Sequence, residues 1–411
     1  MKLNGGILLK KDAKEAFHFF VKHSLAELFM DKSAFGITLK LTWDETKSPL
    51  NESPYESFNA YNYRQPVKCI LIKLVALGTI GDMDILGNIW DYTGNKKRID
   101  TEENFINEVN VQTDIFFKTM EYLEPICPAP VYSDVFRSID ESVLFLNSIT
   151  PLHNDDKHRK VLDIIQVQVE KGNIPSLGVL GMEIADGYYP LVFLEAMFKR
   201  NPDTYTWCME AAKLEILKMA IRTGYAHNDF HRGNILFNPR YQGKYKNIPM
   251  KFLVIDFGFT SKLDPEILKQ MKELYSEKRF QEALKLFKGL KRPDGRYIAD
   301  SPYQYGWLYN EDVDRNGNLL PTREDAVYNE ICETIIEAEK AATDDRIKLF
   351  KSEHKYDPDL YPLLPLSNNI KNKFYQGILY DNSKSIERGG KRKKSRKHQN
   401  KRKTKKNNKS K

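Results

Sequence analysis

Two short polar segments, each beside an apolar run too short for anything but a buried strand, constrain this chain more than any other feature. A helical stripe of Trp207, Ala211, Leu214, Leu217 and Ile221 stops at Gly224, a residue suited to ending a helix. Directly after it comes His227-Asn228-Asp229-Phe230-His231-Arg232-Gly233-Asn234. The runs Ile235–Phe237 and Phe252–Phe257 follow, and the second ends in Ile255-Asp256-Phe257-Gly258. Two carboxylates and an amide are thus placed on loops at strand ends. Phosphoryl transfer from ATP needs a carboxylate that accepts a hydroxyl proton and hard oxygen ligands for magnesium, and Asp229, Asn234 and Asp256 supply that set. Asp and Asn in turns also cap helices or bond their own backbone, a reading that competes well for one residue and poorly for the ordered set.

The first half of the chain reads as strand-rich. Residues 12–31 carry Phe17, Phe20, Val21, Leu25 and Leu28 at helical spacing and predict an opening helix. Ile37, Leu39 and Leu41 then alternate with polar residues, and Val67–Leu77 is a second apolar run, so two strands with a loop or hairpin between them are expected. Residues 102–121 predict a helix, and Pro130–Phe136 and Val179–Ile184 predict further strands. Amphipathic helices are expected over 266–275, 280–287 and 324–342. A strand-rich half followed by a helix-rich half is the α+β pattern.

The loops resemble the catalytic H-x-D-x-x-x-x-N and metal-binding D-F-G sequences of the protein-kinase-like superfamily. The resemblance implies ATP and magnesium as cofactors, Asp229 as catalytic base, Asn234 and Asp256 as magnesium ligands, and His227 as a brace for the loop. Lys73, set in Ile70-Leu71-Ile72-Lys73-Leu74-Val75, needs a counter-charge or a route to solvent. Glu108 on the next helix is its natural partner and resembles the glutamate that holds the phosphate-orienting lysine; Lys68 competes from the start of the strand, and snorkelling from a strand edge would also accommodate Lys73. Residues 31–38 resemble a glycine-rich phosphate loop of which Gly36, after the aromatic Phe35, remains, with Asp31 and Ser33 at the other glycine positions. Leu180–Gly187 resembles the hinge between lobes, with Met182 as gatekeeper and the backbone of Glu183 to Ala185 toward adenine. A short core strand and a turn fit the same letters.

Departures from conventional protein kinases are equally legible. Asn228 stands where Arg is usual, which predicts no phosphate-read activation switch, and His231 stands where Lys is usual. The short run after Gly258 leaves no peptide platform. The D-x-H-x-G-N form resembles aminoglycoside and choline phosphotransferases and the atypical lipid-cofactor kinases. The arrangement over residues 24–290 also resembles serine/threonine kinases encoded by giant DNA viruses. The implied fold is bilobal: a small antiparallel β-rich lobe over 1–185, a helical lobe over 186–384, and a disordered basic tail over 385–411. The implied activity is a serine/threonine protein kinase, with a small-molecule kinase of the aminoglycoside or choline type as one alternative and a pseudokinase or nucleic-acid-associated virion structural protein as another.

Charge divides along the chain. Of 64 Lys and Arg against 56 Asp and Glu, 14 basic residues and no acid fall in residues 388–411, leaving 50 against 56 elsewhere. A tail of this kind, without aromatic residues, favours polyanions through counterion release with little sequence preference, or serves only solubility. A hydrophobic share of 41% excludes wholesale disorder. Cys69, Cys127, Cys208 and Cys332 form no C-x-x-C pair, so neither zinc nor a disulfide framework is indicated. No apolar run approaches the ~20 residues of a membrane span, and an intracellular protein of the host cytoplasm or nucleus, or one packaged in a virion, is expected, with a protein or hydroxyl-bearing metabolite as partner.

Overall fold

The strand Cys69–Leu77 lies at the centre of a five-stranded antiparallel sheet ordered Ser24–Leu28, Ile37–Trp43, Cys69–Leu77, Ser176–Glu183, Pro130–Phe136. The computed structural model describes residues 7–9, 13–29, 35–58, 64–82, 89–93, 96–120, 125–152, 156–185, 187–198, 200, 202–238, 251–292, 295–297 and 333. The helix expected over 324–342, the segment 30–34, Cys332 and the basic tail therefore lie outside the described residues, apart from Glu333.

Strand periodicity decides what each face of the sheet meets. Ile70, Ile72 and Leu74 join Phe17, Phe20, Val161 and Ile165 in one core, so the helices Ala13–Lys22 and Asp156–Glu170 cover that face. Val75 and Leu77 join Phe105, Ile106 and Val109 of the helix Glu102–Met120 in another. Lys73 has the parity of Val75 and Leu77, so the pleat turns it toward the helix that carries Glu108. Gly178 makes room for that helix: a Cβ there would stand 3.0 Å from the Phe105 ring.

The opening helix is shorter than the spacing predicts. It ends at Lys22, and Ser24–Leu28 is a strand paired with Leu39–Trp43. Leu25 and Leu28 continue the helical stripe on paper, but both are only half-buried. Backbone bonding overrides the stripe: beyond the pairing with Leu39–Trp43, Ala26 donates to Thr150 O at 2.7 Å and accepts from Leu152 N–H at 2.8 Å. The helices Ile139–Ser148 and Asp156–Glu170 were not foreseen between the last two strands of the sheet. Neither was the small sheet of Ile7–Leu9, Tyr55–Phe58 and Arg64–Pro66, formed partly within the expected loop.

The C-terminal part is built on the helix Pro202–Thr223, against which Pro265–Ser276 and Phe280–Lys285 pack. Gly224 ends the long helix at φ +74°, where its missing Cβ avoids strain. The strands Ile235–Asn238 and Lys251–Val254 pair antiparallel, with Tyr189–Pro190 on the outer edge. Among the described residues no helix is long and apolar enough to cross a membrane.

Candidate active site

The hairpin Ile235–Asn238/Lys251–Val254 explains why the two polar loops meet. Its register sets Ile235 opposite Val254, so Asn234 and Ile255 leave the same end, tied by Ile255 N–H to Asn234 O at 3.0 Å. His227 is fully buried and joins the loops from beneath. Its Nε2–H donates to Ile255 O at 2.9 Å, and its ring stacks on Phe230 and meets the edge of Phe257. Burial holds this imidazole below its ordinary pKa, more strongly than Asp229 and the Ile255 carbonyl raise it.

Asn234 donates its amide to Asp229 O at 3.1 Å and to Asp229 Oδ2 at 3.2 Å. With Nδ2 so engaged, Oδ1 is the atom left for a cation. Asp256, next after Ile255, has φ +66°, a left-handed conformation rarely adopted by a residue with a Cβ, and Asn228 has φ +61°. Such strain needs over-determination by the surroundings, which His227 and the hairpin supply. Asn228 donates to Phe259 O at 3.0 Å and Ser261 Oγ at 2.7 Å, and so spends its amide on holding the chain after Gly258. Tyr225–Ala226 pairs with Ser261–Lys262, Leu263 N–H donates to Gly224 O, and Asp264 caps the helix starting at Pro265. Only residues 259–264 separate Gly258 from that helix.

Lys73 Nζ reaches Glu108 Oε1 at 2.6 Å, with both residues buried. Burial pushes the Glu108 carboxyl above the usual carboxylate range; Lys73 draws it back down, and Asp256 raises it further. Lys68 pairs instead with Glu45 at the exposed surface.

The remaining expected residues sit along the same strands. Gly36 is buried at φ +86°, where a Cβ would lie 2.6 Å from Leu74 O, and Phe35 bridges to Arg98. Met182 packs against the core shared with Phe105 and Val109. Glu183 N–H donates to Ala129 O at 2.8 Å, its carboxylate accepts from Ala129 N–H at 3.3 Å, and Ala185 O accepts from Tyr188 N–H at 3.2 Å. Asp31 and Ser33 lie outside the described residues.

One charged neighbour was missed by sequence reasoning. Arg292 lies 3.8 Å from Asp229 Oδ1, with its guanidinium 4.1 Å over the Phe259 ring. No loop motif signals it, since it follows the last described helical turns.

Among the described residues no three His, Cys, Asp or Glu side chains form a metal cage. Asp256 and Asn234, on the two loops tied through Ile255 N–H and Asn234 O, carry side-chain oxygens of the kind magnesium takes. That ion keeps waters and binds through one or two protein oxygens plus substrate phosphates.

A strand lysine paired to a helix glutamate, together with a hairpin that brings an Asp, an Asn and a second Asp to one end, is consistent with a kinase-like α+β fold. Residues 175–285, which contain both polar loops, match the family described as the ABC1 atypical kinase-like domain, and this match supports a place in the protein-kinase-like superfamily. No curated protein matches the chain.

Proposed function

We propose that this chain is a bilobal Mg-ATP-dependent phosphotransferase that phosphorylates serine or threonine hydroxyls of proteins. The observation that carries the reading is the buried 2.6 Å Lys73–Glu108 pair. A lysine in an apolar strand costs several kcal/mol to bury and persists only when its charge is answered. In this reading Lys73 orients the α- and β-phosphates, Asp256 and Asn234 hold magnesium, and Asp229 orients the hydroxyl and takes its proton. Bound magnesium supplies charge neutralisation on the phosphates. Phe35 and Gly36 close over the nucleotide, and Met182, Glu183 and Ala185 line the adenine side. The 388–411 tail takes no part in this chemistry and gives salt-dependent contact with nucleic acid.

Transfer of label from ATP to generic protein substrates is expected from the wild type and lost in Asp256→Ala. Equal transfer by both proteins would refute the assignment. The short 259–264 segment favours a second reading, a small hydroxyl-bearing acceptor, which predicts ATP consumption with metabolites and none with proteins. A pseudokinase would show no magnesium-dependent thermal stabilisation by saturating ATP.

A further inference from the structure

The loop that carries Asp229 has His231 two residues later, and the geometry shows how that imidazole is used. His231 Nδ1 accepts from Gly233 N–H at 3.0 Å, which leaves Nε2 facing Asp229 Oδ2 at 3.7 Å. A fixed positive charge approaches instead from a different part of the chain. After the turn Leu286–Gly289, Arg292 N–H donates to Arg296 O at 2.7 Å and Gly295 N–H to Arg292 O at 2.8 Å, while Lys291 bridges to Tyr297. The Arg292 side chain, 12% exposed, lies within reach of both Asp229 Oδ1 and the Phe259 ring. A guanidinium stacked on an aromatic face keeps its plane while its N–H groups remain directed at an anion.

We propose that Arg292 is a catalytic cation that contacts the transferred phosphoryl group, an arginine supplied in cis from outside the catalytic loop. The inference rests on the phosphotransferase reading above. In the step, the acceptor oxygen forms a bond to the γ-phosphorus, the bond from that phosphorus to the β,γ-bridging oxygen breaks, and ADP leaves with its electron pair. The hydroxyl proton goes to Asp229. Arg292 exchanges no proton; it donates hydrogen bonds to equatorial oxygens as charge spreads over them.

The test needs no knowledge of the acceptor, because ADP with magnesium and aluminium fluoride mimics the transferring phosphoryl. Thermal shifts of the full chain are measured with Mg-ADP alone and with aluminium fluoride added, for wild type, Arg292→Ala and Arg292→Lys, beside the unliganded melting temperatures as a folding control. The expected result is an equal shift with Mg-ADP in all three. The additional fluoride-dependent shift is lost in Arg292→Ala and reduced in Arg292→Lys. Basal ATP hydrolysis should fall on the order of 10²–10³-fold in Arg292→Ala, the scale of one lost transition-state donor, with partial rescue by added guanidinium. Equal fluoride-dependent shifts in wild type and Arg292→Ala overturn the role of Arg292 while leaving the phosphotransferase reading intact. A wild type that gains no stability from Mg-ADP or Mg-ATP overturns both.

Discussion

In the phosphotransferase reading, the Lys73–Glu108 pair serves chemistry at the expense of stability. Both charges are buried, and burial already biases Glu108 toward its neutral form. Removing one partner leaves the other uncompensated, so Lys73→Ala should cost about 3–5 kcal/mol in urea unfolding. Replacing both with methionine removes the desolvation cost while keeping volume, and Lys73→Met/Glu108→Met should unfold within about 1.5 kcal/mol of the wild type or be more stable. Nucleotide-dependent stabilisation should nevertheless be lost in the single and the double variant. A double variant as unstable as Lys73→Ala would show that the pair is chiefly structural cement. The sequence disclosed this pair because a lone cation in an apolar run stands out, and because Glu108 on the next helix resembles the glutamate that holds the phosphate-orienting lysine. It disclosed nothing of Arg292, whose only link to Asp229 is a tertiary approach with no local period behind it.

At the scale of elements, the strand that follows the two inserted helices has to satisfy neighbours on both faces. Gly178 sits against Phe105, one turn before Glu108 on the same helix. A methyl group at 178 would meet that ring at 3.0 Å and push the N-terminal end of the helix outward. Gly178→Ala should destabilise the fold by about 1–3 kcal/mol, the range for an overpacked core, and weaken Mg-ATP binding through the displaced Glu108. Gly178→Ala paired with Phe105→Leu, which restores space, should recover binding in a titration followed by thermal shift. Recovery of stability without recovery of binding would break the proposed link between that strand and the ion pair. The strands of the sheet were largely legible because alternation and apolar runs are local signals. The strand Ser24–Leu28 was not, since Leu25 and Leu28 happen to prolong the periodicity of the helix before it. What decided that segment was hydrogen bonding to residues 39–43 and 150–152, partners remote in sequence.

Across the whole molecule, the helix Glu102–Met120 belongs to two cores at once. Phe105, Ile106 and Val109 pack on the sheet, whereas Val111, Ile115, Phe116 and Phe117 are buried with the C-terminal helices. Its far end is tied as well: Lys118 donates to Thr223 O at 3.0 Å and lies 5.1 Å from the centre of the Tyr225 ring. Withdrawing the helix far enough to separate Glu108 from Lys73 would expose two phenylalanines, at roughly 1.5–3 kcal/mol each. Asn228, which stands where conventional kinases carry an arginine, is bonded to Phe259 and Ser261 and so holds the chain after Gly258. In the phosphotransferase reading proposed above, these features make an arrangement that is held by packing rather than switched by charge. Phosphatase-treated protein should therefore match untreated protein in kcat for ATP turnover. Phe116→Ala, which cuts one of the two anchors, should cost about 3–5 kcal/mol and lower turnover even where the protein remains folded. A more than tenfold loss of activity on dephosphorylation would show that the helix does move, and that its second core does not hold it.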